Sequence, residues 1–407
     1  MSEPFLHGVQ VVEVNDGTRT IAVPATSVIC IVGTAPRADA AVFPLNTPVL
    51  VPGSRALAAK LLANAPQGPD GVIPASPETD GTLPDALDSI FDQASALVVV
   101  IRVAKGETDA ATLANVLGGT NSSTGAYEGV HAALSAQSAL GLKPRILIAP
   151  GFTHQRPSGE ANAVVAELEG IANRLRAIIV KDAESTTDAA ALAGADDTGT
   201  RRVYVIDPRC LKKNSAGETA PAWSSAVVAG AIARSDAERG FWASPSNFEI
   251  FGIVGTERGI DFNSSDPNCR ANLLNAGKVA TIIREDGFRL WGNLTTSADP
   301  KWQFLSIVRT ADIIADSIQR AHLWAVDRGI VRTYVEEVRE SVRDFLRDLK
   351  SAGAIVNGDC WADPELNTPS NIEAGNVYWD FDFSGVYPAQ KVTFRMHLTN
   401  RYLSEIF

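Results

Sequence analysis

Near the end of the chain, Val392, Phe394, Met396 and Leu398 alternate with Lys391, Thr393, Arg395 and His397. A period of two is the signature of a strand with one buried face, so the pattern predicts a strand over 391–398. The opening stretch reads similarly. Val9, Val11 and Val14 precede the turn pair Asp16-Gly17, and Thr20, Ile21 and Val23 follow it, which predicts a hairpin over 8–24. "SVICIVGTAP" then has the continuous apolar character of a strand buried on both faces. Residues 64–85, crowded with Pro and Gly, read as a long, mobile surface loop.

The middle of the chain alternates strand and helix patterns. Strands are predicted at 96–103, 145–149, 177–182 and 202–207, and helices at 108–118, 127–140 and 160–176. In the last of these, Val164, Leu168, Ile171 and Leu175 recur at helical spacing. Near-continuous apolar strands between helices imply a mostly parallel sheet covered on both faces.

Beyond about residue 270 the rhythm changes. "VATIIREDGFRLWGN" (279–293) predicts a hairpin turning at Asp286-Gly287. A helix follows, with a stripe of Ile314, Ile318, Ala321 and Ala325 and Gly329 as its C-terminal cap. Thr333-x-x-Glu336 has the form of a capping box that restarts a helix. Val335, Val338, Val342, Phe345 and Leu349 give that helix its apolar face, and Glu336/Arg339, Glu340/Arg343 and Asp344/Arg347 its wet side, with Gly353 ending it. A strand is predicted at 377–383. The last third therefore reads as α+β after an α/β middle.

Composition narrows the function classes. With 407 residues, 45% of them hydrophobic, the chain suits two domains with sizeable cores. Its net charge of −11, without a basic run, argues against a nucleic-acid surface. No window approaches the roughly 20 apolar residues of a membrane span. The first residues lack the pattern of a signal peptide, so a soluble, intracellular, reduced product is expected. Cys30, Cys210, Cys269 and Cys360 lie far apart, and the five histidines show no metal-ligand spacing, so neither metal nor cofactor is expected. The tryptophans gathered in the last third point to core or interface packing.

An α/β sheet invites an enzyme reading, because such sheets bind ligands at the C-terminal ends of their strands. His154, Asp182, Asp207 and Cys210 occupy those ends, and a cysteine with a distant histidine is a nucleophile-pair pattern. Phosphate loops and nucleophile elbows are absent. The Asp-Thr-Gly of "DDTGT" (196–200) has no second copy to share a proton, so it reads as a turn. The two chain ends remain. Their free backbone edges suit pairing either within their own C-terminal domain, which physics alone favours, or with another chain.

Four stretches, "GVQVVEVNDGTRTIAVPATSVI", "FWASPSNFEIFGIVGTERGIDF", "NLLNAGKVATIIREDGFRLWGN" and "HLWAVDRGIVRTYVEEV", resemble in order and spacing the sheath proteins of contractile phage tails and R-type pyocins. The resemblance runs from about residue 8 to the end. It implies a structural subunit that stacks in six-fold rings around an inner tail tube and contracts to drive the tube through a bacterial envelope. Partners would be other copies of the chain, the tube protein, and the baseplate and tail terminator proteins. Nucleic acid, membrane insertion and catalysis are not implied. The particle would be a virion tail or bacteriocin, assembled in the host cytoplasm.

The implied architecture has an N-terminal arm (1–25), an outward α/β domain (26–269), a C-terminal α+β domain facing the tube (270–390), and a C-terminal arm (391–407). In it the α/β domain is inserted into the α+β domain. Val9, Val11, Val14, Val392, Phe394, Met396 and Leu398 would lie on strands exchanged between subunits. Asp312, Asp316, Arg320, Asp327 and Arg328 are expected as exposed charges that face the tube.

Overall fold

A computed structural model of the chain describes residues 21–66, 77–214 and 217–406. The first strand of the expected hairpin, with Val9, Val11 and Val14, lies outside the described residues, residues 21–24 have no regular structure, and residues 67–76 of the loop expected over 64–85 also lie outside. Within that loop the chain is helical at Pro77–Asp80, and α1 (Leu83–Gln93) begins before the loop was expected to end.

A nine-stranded sheet forms the larger unit. Its strands include β1 (Ile29–Thr34), β2 (Val49–Pro52), β3 (Leu97–Val103), β4 (Ile146–Ile148), β5 (Ile178–Asp182) and β6 (Val203–Ile206). A small side sheet takes β7 (Cys210–Lys213), β8 (Thr219–Ala222) and β10 (Gly255–Thr256). The large sheet is completed by β9 (Phe248–Ile250), β11 (Val279–Arg284) and β12 (Phe288–Trp291), in the order β9-β12-β11-β6-β5-β4-β1-β3-β2. The six strands from β11 to β3 run parallel, with antiparallel edges at both ends.

The longer helices of this unit, besides α1, are α2 (Asp109–Leu117), α3 (Ala163–Leu175), α4 (Asp188–Asp196), α5 (Ser224–Arg239) and α6 (Arg270–Ala276). The strand period sorts side chains between two cores: Ile29 and Ile31 enter one layer with α1 and α5, Cys30 and Val32 the other with α3. α5 is buried continuously from Ser224 to Ser235. It crosses α1 so closely that a Cβ on Gly230 would stand 2.7 Å from the Ile90 carbonyl oxygen.

The hairpin over 279–293 forms where expected. Asp286 and Gly287 both have positive φ (49° and 104°), as a turn matching strand twist requires. It does not open the C-terminal unit, however. β11 pairs with β6, so the boundary expected at residue 270 falls inside the large sheet.

The smaller unit holds α7 (Leu305–Ala321), α8 (Arg332–Ser351) and a two-stranded sheet of β13 (Ile355–Ala362) and β14 (Trp379–Gly385). Val342, Phe345, Leu346 and Leu349 of α8 pack on Ile313 and Ile314 of α7 and on Ile355 and Cys360 of β13. α7 stops at Ala321, with His322 rather than Gly329 at its end, because a 3-10 turn at Leu323–Ala325 intervenes. The capping box does not form either. α8 starts at Arg332 behind Val331, and Glu336 pairs with Arg332 at 2.9 Å instead of with Arg339.

Two expected surface charges are interior. Asp316 accepts from Lys143 Nζ at 2.5 Å and from Arg145, and Asp312 accepts from Arg202. Arg145 and Asp316 side chains are each 2% exposed. One helix turn earlier, Arg309 grips Asp236 of α5 through two bonds of 2.7 and 2.5 Å, and Thr26 also donates to that carboxylate. Helical spacing shows that Asp312 and Asp316 share a face; it cannot show that the face meets arginines of another unit.

Removing one partner of a buried ion pair leaves a charge with neither water nor counter-ion. Asp316→Ala should cost about 3–5 kcal/mol in urea unfolding, whereas Arg320→Ala, on the exposed end of the same helix, should stay within about 0.5 kcal/mol. Equal, small effects of both would mean that the buried pairs do not join the units.

Candidate assembly surface

The candidate residues at the strand ends are committed to structural contacts. Cys210 is buried with Sγ 3.1 Å from Ser224 Oγ, and burial pushes its thiol up to about 12. A nucleophilic cysteine needs the opposite shift. His154 lies 4.7 Å from the Trp223 ring, and burial, with Arg209 and Lys181 nearby, pushes it down to about 4. Asp182 accepts the Ser225 backbone N–H at 2.7 Å, and burial raises it to about 6. Asp207 takes the Ser185 N–H at 3.1 Å and pairs with Arg258. Arg270 and then Arg258 bind Asp188 and hold its carboxyl down near 2, against its partial burial. This network pins the 255–270 segment over the strand ends. Among the described residues no cluster of His, Cys, Asp or Glu could hold a metal ion, and no helix is long and apolar enough to cross a membrane.

The unusual surface is on the smaller unit. In the β13–β14 pair, Gly358, Cys360 and Ala362 stand opposite Phe383, Phe381 and Trp379. Directly paired residues share a face, so these six face α8. The other face carries Asn357, Asp359 and Trp361 opposite Ser384, Asp382 and Asp380. Among the described residues neither edge of this sheet has a strand partner. Two strands alone are marginal in water, and here α8 supports them from one side. Beside the inner face lies an apolar cleft of about 750 Å³ between the end of α7 and α8, bordered by Ile318, Tyr334, Val338, Trp379 and Phe381.

Among the described residues the expected terminal strand has no pairing partner. Residues 386–400 have no regular structure, and a single 3-10 turn closes the described chain at Arg401–Ile406. Val392 is 66% exposed, Phe394 92%, Met396 96% and Leu398 100%. Pairing inside its own C-terminal unit, which physics alone favoured, is not seen among the described residues. Four apolar side chains would each gain roughly 1.5–3 kcal/mol on burial, so their exposure marks a surface awaiting cover.

Of the charges expected to face outward, Arg320, Asp327 and Arg328 are exposed and Asp312 and Asp316 are not. Arg328 stacks 4.8 Å over the Trp324 ring, next to exposed Leu323, Val326 and Val331. Sequence reasoning missed β13, whose "IVNGDCWA" has Gly358 on the inward face where alternation would want an apolar side chain. The alternating Asp380-Phe381-Asp382-Phe383 of its partner was the available signal.

Comparison with known proteins agrees with this picture along the chain. The family model for the phage tail sheath protein central domain matches residues 125–296, and that for the phage tail sheath C-terminal domain matches 297–399. A prophage major tail sheath protein of Pseudomonas aeruginosa is 43% identical over 99% of this chain and 98% of its own length. The tail sheath protein of Escherichia phage P2 is 34% identical, again over 99% and 98%. Among solved structures, the contracted helical sheath of the anti-feeding prophage superposes with a TM-score of 0.69 at 18% identity, covering 97% of this chain and all (100%) of the other. At that identity the likeness speaks for the fold.

His154→Ala and Cys210→Ala should give folded proteins that self-associate as the unchanged chain does, read by sedimentation. Loss of self-association in a folded variant would restore a chemical role to the strand ends.

Proposed function

The chain belongs to the phage tail sheath family, a family of structural proteins and not of enzymes, and we propose that it forms six-membered rings, stacked helically around an inner tail tube and linked by exchanged terminal arms. Contraction of that array drives the tube through a bacterial envelope. Baseplate and terminator proteins bound the array at its ends, and assembly takes place in the host cytoplasm. The observation that carries this reading is the tail: a segment of alternating apolar and polar residues that leaves the body with its apolar side chains in solvent, beside a small sheet whose edges have no strand partner among the described residues. Adding a strand to a neighbour's sheet uses both features at once.

In this reading the nine-stranded unit faces outward and the α7–α8 unit, with β13 and β14, faces the tube. The inner unit starts after the β11–β12 hairpin, near residues 297–305, rather than at 270. Residues 1–25, with Val9, Val11 and Val14, form the N-terminal arm; residues 391–407, with Val392, Phe394, Met396 and Leu398, form the C-terminal one. Residues 386–390 are a tether that spans at most roughly 17 Å when extended. A subunit could shift by that order while its strand stays docked. Head-to-tail contacts of this kind close into a ring or grow along a helix. Two packings of such rigid bodies, differing by a few kcal/mol per subunit, give a large total over many rings.

Arg320, Asp327 and Arg328 are the tube-facing charges in this scheme. Exposed pairs contribute below about 1 kcal/mol each and weaken with salt. Repeated around a ring they can set the register of sheath on tube and still release it.

Deleting 391–407 should leave a folded subunit that cannot polymerise, and Phe394→Asp should weaken polymerisation by placing a charge on the buried face. Long tubes seen by negative stain for the deletion variant would refute strand exchange. Arg320→Glu should impair co-assembly with the tube while sheath–sheath polymerisation persists. A cross-linking map that puts residue 320 away from the tube would remove it from the contact.

A further inference from the structure

Alternation decides which face of a donated strand is buried but leaves its register open. A slip of one residue turns the apolar face to water; a slip of two keeps it inward. With Val392, Phe394, Met396 and Leu398 all apolar, a two-residue slip still buries three of them. Something else must choose between such registers.

The polar faces supply it. The arm's outward positions are Lys391, Thr393, Arg395 and His397, all exposed. The outward face of the receiving sheet is acidic, and Asp359 stands directly opposite Asp382, an arrangement that is unfavourable for like charges. Arg343 relieves Asp359 through bonds of 2.7 and 3.2 Å. Among the described residues no ion pair reaches Asp380 or Asp382, and Asp363 adds a third carboxylate beside Asp380. The two edges also differ. On β13 the Cys360 N–H already donates to the Asp359 carboxylate at 2.8 Å, with Arg343 across it. Among the described residues the β14 edge has no such cover.

Resting on the strand-exchange reading, with the arm of one copy added along the edge of β14 in another, we propose that its register is set by Arg395 and His397 against Asp380 and Asp382. The geometry is tolerant of strand direction. In an antiparallel docking Arg395 opposite Asp382 brings His397 opposite Asp380, and in a parallel one Arg395 opposite Asp380 brings His397 opposite Asp382. In either direction a two-residue slip puts Thr393 or Thr399 in place of one of these two side chains. The inner face meanwhile continues the row of Phe381 and Phe383 over α8.

The test is charge reversal, and both sites are exposed in the free subunit, so folding is not at stake. Arg395→Glu alone and Asp382→Lys alone should each raise the critical concentration for polymerisation about tenfold, equivalent to about 1.4 kcal/mol. The double variant, in which every copy carries both changes, should return to within about threefold of the original. Unchanged polymerisation in Arg395→Glu, or failure of the double variant to recover, overturns the charge register. Strand exchange itself would fall only if Phe394→Asp and the 391–407 deletion also polymerised normally.

Discussion

Three carboxylates in the interior, Asp236, Asp312 and Asp316, hold this molecule to one shape. An ion taken out of water must find a counter-ion, and the counter-ions here sit on other elements: Arg309 for Asp236, Arg202 for Asp312, Arg145 and Lys143 for Asp316. α7 is thereby fixed to the large sheet on one side while its Ile313 and Ile314 pack under α8 on the other. Sliding one unit over the other would strand charges at a cost of several kcal/mol each. Apolar contacts alone would allow such sliding more readily, since they are not directional. A subunit that transmits force between neighbours needs this stiffness.

The large sheet has the layout of many ligand-binding α/β proteins, yet its strand ends serve architecture. Asp182 and Asp207, candidate carboxylates by position, are held by Ser225, Ser185 and Arg258, and Asp188 by Arg258 and Arg270. His154, the candidate base, packs 4.7 Å from the Trp223 ring. Fold and activity separate here as they do in general: activity resides in a site, and a scaffold can persist with its site filled by its own side chains.

Much of this was legible from residue order. Continuous β-branched runs marked β1, β3, β5 and β6, and Asp286-Gly287 marked a turn that needs two positive φ values. What was not legible depended on partners. Nothing local says that a hairpin joins a sheet built from residues far upstream, or that Asp312 and Asp316 meet arginines a hundred or more positions away. α5, buried nearly all round, lacks the amphipathic contrast by which helices are recognised. The α7 end was misjudged because a glycine is a frequent stop, whereas here the 3-10 turn after Ala321 ended the helix first. In the tail the pattern was sound, and the missing information was which molecule supplies the other side.

A tail held off the body by a short tether also bears on when the protein assembles. One arm reaching one neighbour orders a dozen or so residues and gains a modest net affinity, so encounters between two subunits are brief. In the proposed ring, dissociation would require all of the arms to let go, and the effective local concentration of each strand near its acceptor would reach the millimolar range. Dilute subunits would thus stay apart, and addition would become persistent only on a preformed template. Lys391 and Arg395 interrupt the exposed apolar run with charge, the kind of placement that disfavours indiscriminate β-aggregation.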